Sequence, residues 1–493
     1  MNNENRKKTI IEDTGKYSLA QYATQGVGIF IAFFMRKFLG PYQMGIWSLL
    51  KVIQTYLSYL QLGIESAAVY RIPFYRGKGD LCSAIEIKNT TFTFMFFASV
   101  LSAIGLAVAA FLLRNYYSTE VIIGLMALAV YIILQRMYSF YVVILRAYKN
   151  FSVLTKSLLF DAVANLLLVF LLVSKFKIYG LYVTISMLAI FNTLFVYRLS
   201  GYKMEFSFAL KRLKGLMGYG IPILIIGFLS EILATVDSIM IGSMLGVVFL
   251  GYYSVAVMAK NCIHGLSNNL GIVTIPHMQE VYGKSGKIDD IKKFVTYATE
   301  SISYVLAPLL GLVYFIAPIL IEKFLPKYVL GIPALQILLL NTIFISCSVQ
   351  TGQFLITIDK KFKLIIINIM AIAINILLNY FFIRKGLGIS GVALGTSLSS
   401  LVVFISSLIL AMKHFASWQE IIKFIASVMF PIVYILGIIY FCNMYTGSLN
   451  RLISSVMNST IIVLFSIPLY LHINKKTNAI GLLAEMVAAR FRR

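Results

Sequence analysis

LGPYQMGIWS, residues 39–48, is written again in outline by LGVVFLGYYS, residues 245–254. Leu39, Gly40, Gly45 and Ser48 fall on Leu245, Gly246, Gly251 and Ser254 at a constant offset of 206, and Trp47 is answered by the aromatic Tyr253. KIYGLYVTISML, from Lys177, and GISGVALGTSLS, from Gly388, align Ile178, Gly180 and Ser186 with Ile389, Gly391 and Ser397 at offset 211. Lys149 and Phe151 correspond to Lys360 and Phe362 at that same offset. Matches in one order at nearly one offset describe a unit of about 206 to 211 residues that occurs twice.

Composition decides the solvent in which this repeat works. Hydrophobic residues make up 59% of the chain and charged residues 13%, with a mean hydropathy of +0.86. This is far more apolar than a soluble domain and indicates an all-α polytopic membrane protein. The net charge of +24 does not point to nucleic acid, because Lys and Arg sit in small groups between apolar runs. That placement suits loops facing anionic membrane lipid. The four cysteines show no C-x-x-C spacing and read as packing residues. The polar start, MNNENRKKTIIEDTGK, lacks the small-residue cleavage site of a secretory signal, so the first apolar run is expected to remain as a helix.

Spans of about 20 apolar residues number fourteen: 17–36, 43–69, 90–113, 119–145, 152–174, 178–198, 216–242, 247–275, 294–321, 329–357, 364–383, 387–412, 421–443 and 453–473. Cationic side chains test this count. With groups at span ends counted in the adjoining segment and the N-terminus inside, the inner segments hold 30 Lys and Arg and the outer loops 10. Lys51, Arg136 and Lys260 are the three that fall well inside spans, away from their ends. One helix too many or too few would erase this bias beyond the error, so both termini are expected in the cytoplasm. LGPYQMGIWS and LGVVFLGYYS then mark the outer turns of the first and seventh hairpins. Six spans per unit is an even number, so the two repeats run parallel, as an N-lobe over 1–205 and a C-lobe over 206–415 around a central cavity. Residues 416–493 supply two further helices and a basic cytoplasmic tail.

LGPYQMGIWSLLKVIQTYLSYLQLGIESAAVYR, YGIPILIIGFLSEILATVDSIMIGSMLGVVFLGYYSVA and LGISGVALGTSLSSLVV resemble the polysaccharide-transporter branch of the MOP superfamily, the Wzx-type oligosaccharide flippases. These are relatives of the multidrug and toxin extrusion transporters and of the lipid II flippases. The resemblance covers essentially the whole chain and rests mostly on packing and turn glycines. It implies alternating access by two six-helix lobes that move an undecaprenyl-pyrophosphate-linked oligosaccharide, such as an O-antigen unit, from the inner to the outer leaflet of the cell inner membrane. Anionic lipid, a glycan polymerase and a chain-length regulator are the partners it suggests. Nucleic acid is not among them.

A pyrophosphate headgroup needs cations inside the bilayer, and ionisable groups in spans are costly enough to be functional candidates. The inventory is Lys51, Glu65, Arg136, Asp161, Glu231, Asp237 and Lys260. Depth sorts them, since residues equally far from a shared turn lie at similar depth. Arg136 lies 13 residues before Lys149 and Asp161 lies 12 after it, while Glu231 lies 15 before Gly246 and Lys260 lies 14 after. Both are therefore expected as cross-hairpin ion pairs, structural or coupled to an ion gradient. Lys51, 11 residues past Gly40, finds no carboxylate at matching depth and is the leading substrate-facing cation, with outward snorkelling as the alternative. Arg136 and Lys260 are the further headgroup candidates, and Asp161, Glu231 and Asp237 the candidate coupling or structural carboxylates. Arg36 and Lys37 read as an interfacial anchor, and Glu65 as a partner of Arg71.

Gly218, Gly220 and Pro222 are expected to interrupt the seventh span, and Pro308 with Gly311 the ninth, either as breaks that line a cavity or as kinks fixed by packing. The loop 71–89 fits either an interfacial amphipathic element or a basic linker. His264, His277, His414 and His472 lack ligand spacing, so neither a metal nor another cofactor is expected. Other activities stay open. A drug or small-cation exporter of the same fold should carry acids on the first two spans, which offer Lys51 and Glu65. A membrane glycan polymerase or ligase should display a large outer loop with convergent Arg, His or carboxylates, yet every outer connection is short.

Overall fold

The computed structural model describes the backbone of residues 3–446 and 450–477; the basic tail from residue 478 and the His277 side chain lie outside the described residues. Among the described residues there is no strand. The helices are α1 (Asn3–Ser58), α2 (Ile64–Gly77), α3 (Leu81–Leu113), α4 (Thr119–Ala147), α5 (Phe151–Leu168), α6 (Ser174–Ser200), α7 (Leu210–Met244), α8 (Val247–Ser285), α9 (Lys292–Phe324), α10 (Ile332–Thr357), α11 (Lys361–Arg384), α12 (Gly388–Met412), α13 (Trp418–Thr446) and α14 (Arg451–Thr477). Ten stretches among the described residues are long and apolar enough to cross a bilayer. One of them, Phe151–Ser200, is 50 residues long and contains two of the expected spans. The expected spans 17–36, 43–69 and 247–275 fall in α1, α2 and α8, which are more polar. The chain is a multi-pass membrane protein. It divides into two compact units, Met1–Gly251 and Tyr252–Arg493.

In the first unit, backbone chemistry sets where the long N-terminal segment turns. Gly40 adopts φ 72°, a conformation costly for residues with a Cβ, and Pro41 follows it without an amide hydrogen to continue the helical ladder. One nominal helix thereby becomes two. Beyond this turn Gly45 packs so tightly that an added Cβ would lie 1.9 Å from the Val247 carbonyl oxygen, and one on Gly251 would lie 1.8 Å from that of Pro41. The two related stretches are thus glycine faces pressed on each other's backbones. A second reciprocal contact joins α2 to α7, where Cβ atoms on Gly63 and Gly220 would meet each other's carbonyl oxygens at 2.3 and 2.4 Å. Leu62 and Gly63, both with positive φ, separate the end of the α1 segment from α2.

The expected helix breaks fall elsewhere. α7 and α9 run through Pro222 and Pro308 without interruption. Gly311 serves packing: an added Cβ would lie 2.7 Å from Ile462 and 2.9 Å from Ile435, on α14 and α13. Breaks occur instead at Gly40, at Leu62–Gly63 and at Lys177, whose φ of 54° opens the turn into α6. The segment 71–89 is helical over most of its length. α2 runs on to Gly77, and Asp80 caps α3 by accepting from the Ser83 amide at 2.9 Å.

The segment joining α6 to α7, residues 201–209, is extended and bound along α3. Asn89 donates to Glu205 at 2.9 Å, Thr93 donates to the Ser207 carbonyl at 3.0 Å, and the Ser207 amide donates back to Thr93 at 3.0 Å. Arg212, at the start of α7, donates to Glu86 at 2.9 Å and to Ser83 at 2.5 Å. The Glu86 carboxylate holds the Arg212 guanidinium above its usual range.

The internal repeat is visible in turn geometry. Lys149 and Asp359 both have φ 58°. Asn150 donates to the Leu145 carbonyl at 2.8 Å, and Lys360 donates to Leu355 at 2.7 Å. In the second unit α10 packs on α9 and α12, α11 on α12, and α13 and α14 on α9. Its interior is unusually polar: Asn375 donates to Ser399 at 2.8 Å, Asn379 donates to Asn375 at 2.8 Å, and Thr351 bonds Ser407 at 2.7 Å. Such networks are tolerated in an apolar interior because hydrogen bonds satisfy most of their groups, although among the described residues the Asn379 Oδ1 accepts none.

Candidate functional site

Polar residues of the first unit come together from six helices. On α1, Lys51, Gln54, Thr55 and Ser58 recur at three- and four-residue spacing and share one face. The Lys51 side chain is exposed, with its ammonium 5.9 Å from the centre of the buried Trp47 ring. Among the described residues it makes no ion pair with a carboxylate. Arg36, buried and donating to the Ala32 carbonyl at 2.8 Å, lies within its electrostatic reach, so two like charges share this region. Gln54 donates to the Tyr131 hydroxyl at 3.4 Å.

Further along α1 and α2 lies a partly buried ion pair. Arg136 of α4 meets Glu65 at 3.5 Å, with side chains 11% and 29% exposed. The buried Gln61 bridges the two when its amide nitrogen faces Glu65, at 2.5 Å, and its oxygen faces the guanidinium. This arrangement corrects two expectations. Arg136 does not pair with Asp161, which instead accepts from Asn192 of α6 at 2.5 Å. Glu65 does not pair with Arg71, whose guanidinium lies over the Phe74 and Tyr219 rings at 5.9 and 5.2 Å. Equal depth is necessary for a contact across a hairpin, but the helix face must also match. Here α4 turns the Arg136 face toward α2, and Asp161 faces α6. Tyr131 stands within electrostatic reach of both Asp161 and Arg136 and so links the two groups.

α7 closes this side of the unit. Tyr56 bonds Thr235 at 2.9 Å, Tyr59 donates to the Gly227 carbonyl at 3.2 Å, and the Phe228 ring stands edge-on to both tyrosines. Glu231, one turn before Thr235, lies within electrostatic reach of Tyr59. Asp237 is fully buried and accepts from the Ser238 amide at 2.6 Å. Lys260 belongs to the second unit, where it is 7% exposed and within electrostatic reach of His264. Sequence reasoning missed Gln61, Asn192 and Glu300. Glu300 is fully buried near the start of α9 and accepts from Ser427 of α13 at 2.6 Å. A carboxylate followed by S-I-S within an apolar run was the available signal. Among the described residues no group of His, Cys, Asp and Glu has the geometry to hold a metal, and the four cysteines form no disulfide.

An all-helical fold with ten stretches, among the described residues, apolar enough to cross a bilayer defines a polytopic membrane protein. The structure is similar to that of the lipid II flippase MurJ in an inward closed conformation, with a TM-score of 0.70 at 16% identity over 94% of this chain and 99% of that one. It is also similar to an inward-facing multidrug resistance MATE family transporter of the MOP superfamily, with a TM-score of 0.64 at 16% identity over 82% and 99% of the two chains. A MOP superfamily transporter from Pyrococcus furiosus, described by the reverse polarity of its binding pocket, gives 0.57 at 16% identity over 83% and 95%. No curated protein sequence matches the chain. The family described as "Polysaccharide biosynthesis protein" matches residues 10–281, more than half of the chain. The chain belongs to this family, and its fold is that of the MOP superfamily transporters.

Proposed function

We propose that the chain is a flippase that carries an undecaprenyl-pyrophosphate-linked oligosaccharide from the inner to the outer leaflet of the cytoplasmic membrane, with both termini in the cytoplasm. The observation that carries this reading is Lys51, an exposed cation at membrane depth with no carboxylate partner among the described residues and with Arg36 within electrostatic reach. A cation within the thickness of the bilayer without a carboxylate counter-ion is costly, and like charges nearby add to the cost. A pyrophosphate entering beside Lys51 offsets both, so the site gains most when its anionic substrate is present. Family membership supports a glycan as the cargo, and the polyprenyl tail stays in lipid.

Alternating access moves the six-helix repeats, 1–205 and 206–415, against each other. The close glycine contacts, Gly45 on Val247 with Gly251 on Pro41 at one end and Gly63 with Gly220 at the other, are suited to be the points that close and part. Backbone laid directly on backbone separates without rearranging side chains. Arg136 and Lys260 are proposed as further contacts for the headgroup. Asp161, Glu231 and Asp237 are proposed for coupling to an ion gradient, because a proton taken by a carboxylate frees its partner.

The test is deletion of the gene in its host. Loss of one surface glycan, with its lipid-linked unit retained in the inner leaflet, is the expected result. A unit that reaches the outer leaflet and stays unpolymerised would assign the chain to polymerisation. Unchanged glycan with altered sensitivity to cationic drugs would assign it to export.

A further inference from the structure

A cavity of about 310 Å³ lies in the second unit among α9, α10, α13 and α14, away from every residue assigned above. Its polar lining is Gln336 of α10, Asn443 of α13, and Ser454 and Asn458 of α14, with Glu322 and Arg451 paired across it. Tyr314 and Phe315 add aromatic surface. Three properties restrict what such a cavity accepts.

The first is charge. The lining holds one carboxylate and one guanidinium, already bonded to each other, so neither a phosphate nor an ammonium finds an uncompensated partner. The second is hydrogen-bonding capacity. Asn458 is 1% exposed, and its amide nitrogen donates to Thr446 at 2.9 Å, but among the described residues its Oδ1 accepts no hydrogen bond. A buried acceptor left open costs free energy that a hydroxyl donor recovers. Gln336 reaches only the Tyr314 carbonyl, at 3.4 Å, so its amide oxygen remains available. The third is size. The volume is at the small end of ligand sites, enough for one compact ring rather than a chain.

We propose that this cavity binds a single neutral sugar residue, held by the amides of Gln336, Asn443 and Asn458, with Tyr314 and Phe315 as its apolar floor and with the Ser454 hydroxyl, which donates to Thr446 at 2.8 Å, fixed beside it. By the charge-bias topology, the ends of α9 and α13 and the starts of α10 and α14 face outward. The cavity would therefore receive glycan that has already crossed, and the terminal helix pair gains a purpose beyond the two repeats. The choice of a glycan sugar rests on the proposed flippase function. Its test does not, because equilibrium binding is read without any flipping.

The experiment is saturation-transfer NMR on the purified full chain in detergent. The probes are neutral hexoses, deoxyhexoses and N-acetylhexosamines, with inorganic pyrophosphate and glycerophosphoethanolamine as charged comparators. A saturable signal from at least one neutral sugar is expected in the wild type and in Lys51→Ala. The combined change Gln336→Leu with Asn443→Ala should weaken it by about tenfold, as loss of two hydrogen bonds implies. These positions are half-buried and exposed, and an unchanged melting temperature confirms that the variant folds. Absence of saturable sugar binding, equal binding by the variant, or displacement of sugar by glycerophosphoethanolamine would each overturn the proposal, the last by identifying a zwitterionic lipid site.

Discussion

Replacing Glu65 by Gln removes the carboxylate that, among the described residues, pairs with Arg136, and leaves the guanidinium in place. The Arg136 side chain is 11% exposed, so water compensates little of the lost charge. Breaking a buried pair by removing one partner costs about 3–5 kcal/mol. The Gln61 oxygen still faces the guanidinium, which places the expected loss toward about 3 kcal/mol. Asp161→Asn should cost about 1 kcal/mol, because it changes a hydrogen bond to Asn192 and strands no cation. Arg136→Met combined with Glu65→Leu should recover most of the loss, since an apolar pair of similar volume avoids desolvation. Thermal unfolding of the three variants in one detergent gives the order directly. If Asp161→Asn proves more damaging than Glu65→Gln, or Glu65→Gln is neutral, Arg136 is paired on the other side and the face assigned to α4 is wrong.

Gly251→Val puts a Cβ 1.8 Å from the Pro41 carbonyl oxygen, so backbones must part by roughly an ångström. A loss of about 1–3 kcal/mol and of glycan display is expected, and wild-type values of both would contradict the close approach. Hydrogen bonds from Ser83 hold the Asp80 carboxyl below its usual range. Its contribution is therefore full above the ordinary carboxylate pKa of about 4 and is lost as pH falls through the lowered value. Melting temperatures of the wild type and Asp80→Asn should differ at neutral pH and converge in acid; a gap that is constant with pH would refute the cap. Gly395→Ala sets a Cβ 2.2 Å from Asn379 Oδ1 and should disturb the α11–α12 polar network, read as a lowered melting temperature against an unaffected Gly437→Ala.

The membrane class, the helical fold and the repeat were legible because they follow from patterns that tolerate no exception. A bilayer demands apolar runs, and a doubled unit repeats its turns, as Lys149 and Asp359 do. The glycine stretches announced their importance without revealing their role, since nothing in LGPYQMG indicates that LGVVFLG is the surface it packs on. Pairings were the least legible. Rise per residue gives depth, and on that basis Asp161 suited Arg136, but rotation about the helix axis decides which of several groups at one depth are met. The proline positions misled for a related reason. A lost hydrogen bond marks a weak point, and the packing of Gly311 against Ile435 and Ile462 holds α9 through it. Glu300 escaped notice because it sits at the edge of its span, where a carboxylate usually faces water; here the α13 contact buries it.

The central claim is that Lys51 meets the anionic headgroup as a point charge. It is tested most directly by outward transfer of a fluorescent polyprenyl-pyrophosphoryl sugar in proteoliposomes containing the wild type, Lys51→Arg, Lys51→Ala or Lys51→Glu, at equal protein content. The predicted order of rates is wild type, then Arg, then Ala, then Glu, because Arg keeps the charge with altered geometry and Glu repels the phosphates. Lys51→Ala working at the wild-type rate, while Lys260→Ala combined with Glu231→Ala abolishes transfer, would contradict the claim and move the working cation to Lys260.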